Sequence, residues 1–231
     1  PYLGERIGVP ARAGYRKLDL NAPLETHGVP VVALAGTCME AGKTAAACQM
    51  VSRMRHRGLT VDVFKATGVS LRRDILAMED AGARNSMIFT DLGIITTTRA
   101  VGPALTRTMI TDISAKKPDV IVFELGDGIL GTYGVDSILE CDDIRKALTG
   151  VVLSANDPVA AWGGVKLLRE RFGIEPCAVT GPATDNAVGV EIIRDQMKVP
   201  AYNALSDGAA LGDCVISAIG LDAKFPVAAA N

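Results

Sequence analysis

The 231 residues carry 24 Lys or Arg against 26 Asp or Glu, and a net charge of -2 argues against bulk electrostatic binding to nucleic acid. Aromatic residues make up 4%, too few for base-stacking platforms, while a hydrophobic fraction of 48% is ample for one sizeable core. Five scattered cysteines without a CxxC pair, and the absence of a signal-peptide pattern or a long apolar run, argue against a disulfide framework, a zinc site and a membrane partner, so a soluble, cytoplasmic protein is expected.

Residues 1–29 mix Gly, Pro and charge without sustained periodicity and read as a linker or the remnant of an upstream domain. Residues 30–231 are expected to form one α/β domain. Short apolar runs predict strands at 31–35, 60–64, 119–123, 150–154 and 176–180, with weaker ones at 86–89 and 200–203. Helical patterns lie between them at about 43–57, 74–82, 99–115, 137–148, 158–171, 184–197 and 206–219. Strands alternating with helices imply βαβ crossovers and a mostly parallel sheet with helices on both faces. In such sheets ligands bind at the carboxyl ends of the strands, so the residues just after each apolar run carry the functional signal.

After the first run comes Gly36-Thr37-Cys38-Met39-Glu40-Ala41-Gly42-Lys43-Thr44-Ala45, followed by a helical pattern. The usual phosphate-binding spacing is G-x-x-x-x-G-K-[ST]. Here Thr37 occupies the first glycine position and Gly36 stands one residue earlier. The mechanism survives that shift, because backbone N–H groups at a helix N-terminus still form an anion cradle. Gly42 lets the backbone approach a phosphate, Lys43 reaches the terminal phosphates and the Thr44 hydroxyl ligates Mg²⁺. An ordinary strand-to-helix turn with a surface lysine is the plain alternative. The order of strand, glycine loop, GKT and helix tells against it. The expected fold is therefore a three-layer P-loop NTPase fold.

Two further strand ends stand out. Lys65 directly follows the second run, on the same sheet edge as the loop, where its ammonium can neutralise charge developing in phosphoryl transfer. Glu124 closes the most apolar run, at the place of a Walker B carboxylate that binds Mg²⁺ directly or through water. The glycine-rich "GDGILGTYG" after it suggests a backbone that approaches a ligand, with Asp127 a second carboxylate in that turn.

The segment "GTCMEAGKT" resembles the loop of dethiobiotin synthetase and its relatives, which include the cobyrinic acid diamide synthases. The resemblance covers about residues 31–205 in order and spacing, and is close in identity only at the loop. It implies a Mg²⁺–ATP site, with Lys43, Lys65 and Glu124 catalytic and Thr44, Asp74 and Glu124 at the metal. In "VFKATGVS" Lys65 stands at the family's substrate-facing lysine, and "SLRRD" offers Asp74 as the metal carboxylate, with Asp91 in "FTDLG" competing for that role. Cys38 departs from the aspartate of the synthetases proper, which points away from dethiobiotin as the product. Where those enzymes place an adenine-recognising asparagine, this chain has Thr180 or Gly181, with Asp185 and Asn186 nearby. No N-K-x-D guanine motif occurs, so ATP is expected.

By resemblance, the expected activity is phosphorylation of a small carboxylate or carbamate for ligation, in a homodimer whose partner is a small acid or amine. "KATG" also resembles a family of P-loop proteins linked to N-acylation of acidic amino acids such as D-glutamate. A regulatory or metal-insertion NTPase is a further alternative, although Cys38 stands where those proteins carry a second lysine.

Overall fold

The structure is a computed structural model that describes residues 18–222; residues 1–17 of the expected linker lie outside the described residues. Its strands are β1 (Val31–Gly36), β2 (Val61–Lys65), β3 (Asn85–Ile88), β4 (Val120–Glu124), β5 (Leu148–Ser154) and β6 (Ala178–Thr180). They form one parallel sheet in the order β3-β2-β4-β1-β5-β6. Strands β1, β2 and β4 are buried along their whole length, as expected when helices cover both faces. Phe64 and Phe123 are register partners and stack with centroids 4.5 Å apart, locking β2 to β4.

One face is covered by α1 (Lys43–His56), α2 (Arg72–Asp80) and α8 (Gly208–Ala218), which pack on one another. Helix α1 forms because Ala46, Ala47, Met50, Val51 and Met54 recur at helical spacing and are all buried. The other face carries α3 (Gly102–Ser114), α4 (Val135–Glu140), α5 (Asp142–Ala147) and α6 (Pro158–Phe172). Arg171 of α6 pairs with Glu140 of α4 there. The remaining helix, α7 (Ala187–Ile192), follows β6. Among the described residues, no helix is long and apolar enough to cross a membrane.

Several boundaries differ from expectation for local reasons. The helix predicted over 137–148 is broken at Cys141, whose ψ of 118° is extended, and Asp142 and Asp143 then open a new helix at its positive end. The run 184–197 becomes α7, which Asn186 opens by accepting from Gly189 N–H, followed by a π-helical turn, Ile193–Met197. The weak strand at 200–203 reduces to a single bridge, Val179 with Ala201. Residues 18–29 lie against α3: Glu25 O accepts from the Ser114 hydroxyl at 2.8 Å, and Glu25 N–H donates to Thr111 Oγ1.

Candidate functional site

Strand β1 is central, and its end at Gly36 faces the start of α1 across residues 37–41. Gly42 turns the chain into the helix with φ +91°, a left-handed conformation that a side chain rarely tolerates. No side chain caps α1, so its first N–H groups are free to bind an anion. Lys43 lies back over the strand end, its ammonium donating to Cys38 O at 2.8 Å. Only 5% of it is exposed. Burial pushes the Lys43 pKa below its usual value, while the charges of Glu124, Cys38 and Asp127 act to raise it.

The register of the sheet assembles the rest. Lys65 and Glu124 are direct partners on β2 and β4, so both side chains project from the same face. Glu124 is buried and accepts from the Thr44 hydroxyl at 2.9 Å, which ties the tip of β4 to the start of α1. Lys65 Nζ stands 3.8 Å from Glu124 Oε1 and forms an ion pair with Asp74, in the first turn of α2. Lys43, Thr44, Lys65, Asp74 and Glu124 thus meet around one pocket of about 220 Å³, which Met39, Glu40 and Asp127 also line. Thr37, Cys38 and Ala41 belong to the same β1–α1 connection and Ala45 to the first turn of α1; the pocket lining does not include them.

Asp91, the competing carboxylate, is spent locally: it accepts from Ile88 N–H at 2.9 Å and closes its own turn outside the pocket. Asn186 is likewise used in capping α7, and Asp185 accepts from Asn203 Nδ2 at 2.8 Å. Those two residues border a separate cleft of about 600 Å³ beyond β6. Trp162 is half exposed beneath Lys166.

Other contributors were not legible from spacing. Arg73 and Tyr133 line the pocket. Behind it, the Thr67 hydroxyl donates to Gly126 O, and Thr97 accepts from Gly68 N–H while donating to Tyr133 O. Gly128 presses on the loop after β1, where a Cβ would lie 2.6 Å from Thr37 O, and Ile129 N–H donates to Gly36 O. Gly181 packs equally closely on Ala41 O. The glycines of "GDGILGTYG" and "TGPA" were the available signal.

No protein-family model and no curated protein matches the chain. Solved structures do share its architecture. FtsY from Elizabethkingia anophelis, in complex with GDP, is 16% identical with a TM-score of 0.58, the match covering 84% of this chain and 65% of that one. The hydrogenase maturation factor HypB from Archaeoglobus fulgidus is 12% identical with a TM-score of 0.57, over 84% and 91%. The fold is that of the P-loop NTPases. A DUF1611-family protein from Anabaena variabilis also shares it, at 13% identity and a TM-score of 0.59 over 88% and 62%. The P-loop NTPase fold is all that such identities carry, and the chain spans about two thirds of the FtsY and DUF1611 structures.

Proposed function

We propose that this chain is a Mg²⁺-dependent enzyme of the dethiobiotin-synthetase-like class that transfers the terminal phosphoryl group of ATP to the oxyanion of a small carboxylate or carbamate, activating it for ligation. The observation that supports this most is the pairing of Lys65 with Glu124 across adjacent strands, in the pocket that also holds Lys43. A nucleotide-binding site alone has no need of a second buried lysine there.

Thr44 Oγ1 and Glu124 Oε2 are hard oxygen donors 2.9 Å apart, a set that fits Mg²⁺. Bound there, Mg²⁺ would neutralise charge on the phosphates. The free N–H groups at the start of α1 bind the phosphates, and Lys43 exchanges Cys38 O for a terminal phosphate oxygen. Lys65 orients the acceptor oxyanion, and Asp74 holds the Lys65 ammonium in place. Met39, Val69 and Leu71 line the pocket yet remain about half exposed. A homodimer that covers this apolar rim and excludes water is part of the proposal, and light scattering in solution tests it.

A second reading, N-acylation of an acidic amino acid, has its support in the Lys65–Gly68 turn, which Thr67 ties to the turn after β4. The deciding experiment follows ADP and acyl-CoA while small acids and amines are supplied. Phosphoryl transfer predicts ADP release that needs the acid or amine and falls about 100-fold or more in Lys43→Ala. Acyl-CoA consumption without ATP turnover would establish the second reading instead. Hydrolysis indifferent to small acids and stimulated by a protein would mark a regulatory NTPase.

A further inference from the structure

Arg73 is the cation of the pocket that no partner holds in place. Lys43 donates to Cys38 O, and Lys65 is shared by Asp74 and Glu124. Arg73 lines the same pocket, yet its guanidinium makes no hydrogen bond among the described residues. Its ion pair there is with Asp74, Nε to Oδ1 at 3.7 Å, and 82% of the side chain is exposed.

Helix stability does not account for a cation at this position. Arg72 and Arg73 open α2, at the positive end of the helix, where a positive side chain is unfavourable. The two then diverge. Arg72 faces Asp91 at 4.0 Å, outside the pocket, whereas Arg73 stands at the pocket beside Asp74.

Charge gives Arg73 its use. Four carboxylates line the pocket, those of Glu40, Asp74, Glu124 and Asp127, against the cations of Lys43, Lys65 and Arg73. ATP stays anionic with Mg²⁺ bound, so the terminal phosphoryl group enters surroundings already negative in sum. An acceptor oxyanion must then approach oxygens of like charge. Lys65 has two carboxylates to serve. A guanidinium with free N–H donors on a long stem is the group able to close on those oxygens, and its planar fork fits them in pairs.

Resting on the phosphoryl-transfer reading above, we infer that Arg73 is a further catalytic residue, whose guanidinium turns into the pocket over bound nucleotide and donates to the non-bridging oxygens of the phosphoryl group in transfer. The acceptor oxygen bonds to the terminal phosphorus as the bond from that phosphorus to the bridging oxygen breaks, and that oxygen leaves with the electron pair on ADP. Arg73 keeps all its protons. Its contact forms with the group in flight, so it favours the transition state over bound ATP or ADP.

The test measures, on the full chain, the affinity for Mg²⁺–ADP with and without aluminium fluoride, which mimics the phosphoryl group in transfer. Intrinsic ATP hydrolysis, with water in the acceptor's place, is followed alongside. Aluminium fluoride should tighten ADP binding to wild type, and Arg73→Ala should lose about tenfold or more of that tightening while its affinity for Mg²⁺–ADP alone stays within about twofold. Arg73→Lys should fall between them, because an ammonium cannot make the paired bonds. Hydrolysis should drop about tenfold or more in Arg73→Ala and be unchanged in Arg72→Ala. Full tightening in Arg73→Ala, an equal loss in Arg72→Ala, or a loss already present with Mg²⁺–ADP alone would overturn the inference. Failure of wild type to bind Mg²⁺–ADP, or to bind it more tightly with aluminium fluoride, is a different result, and removes the phosphoryl-transfer reading along with this one.

Discussion

Two buried carboxylates on neighbouring strands have opposite surroundings. Asp62, near the start of β2, is fully buried and saturated: it accepts from Arg84 Nε and Nη2 at 3.0 and 2.8 Å, and from both the backbone and side-chain nitrogens of Asn85 at 3.1 Å. Glu124, at the tip of β4, is 3% exposed, accepts one hydrogen bond from Thr44 and has Lys65 only at 3.8 Å. A buried carboxylate has lone pairs for several donors, so Asp62 is spent on structure while Glu124 keeps acceptor capacity facing the pocket.

The sharpest way to break that contrast is to neutralise each in turn. Glu124→Gln should lower ATP turnover by about 10²–10³, with the unfolding free energy within about 1 kcal/mol of the parent. Asp62→Ala should do the reverse, costing about 2–3 kcal/mol of stability in urea titrations because the Asn85 N–H and the Arg84 guanidinium lose their partner.

A smaller effect separates backbone strain from crowding. Gly181 (φ +91°) and Gly173 (φ +64°) are both left-handed, but a Cβ on Gly181 would press on Ala41 O and Ala155 O, whereas Gly173 has open space. Gly181→Ala should cost about 2–3 kcal/mol and weaken nucleotide binding through the phosphate loop, against about 1 kcal/mol for Gly173→Ala.

The smallest effect lies at the far end of α1, where Asp213 of α8 bonds to Arg53 and Arg57. The Arg53 hydrogen bond chiefly, and that of Arg57, hold the Asp213 pKa below its usual value of 3.8. A carboxylate with a lowered folded pKa adds stability above its unfolded value and loses it as pH falls below that value. Asp213→Asn should therefore reduce stability at pH 7 and flatten its decline below pH 3.8, by less than about 1 kcal/mol because the pair is solvent-screened. Thermal melts at pH 7 and pH 3 check the sign.

Local pattern made the framework legible: buried apolar runs marked β1, β2, β4 and β5, and the GKT following β1 marked the start of α1. The placement of Lys65 and Glu124 at strand ends was legible for the same reason. Their pairing was not, since it depends on the register between strands 59 residues apart. Nor does spacing show that Asp74 pairs with Lys65 while Asp91 closes its own turn.

Periodicity and glycine placement are properties of a few adjacent residues, so the sequence by itself determined an α/β chain with a glycine-containing strand-to-helix loop at its first strand end. Long-range packing decided the rest. It set the tips of β2 and β4 side by side and laid the turn after β4 against the loop after β1, with Gly128 abutting Thr37 O. Those outcomes depend on contacts whose free energy exists only once the sheet has formed, which is why spacing along the chain did not announce them.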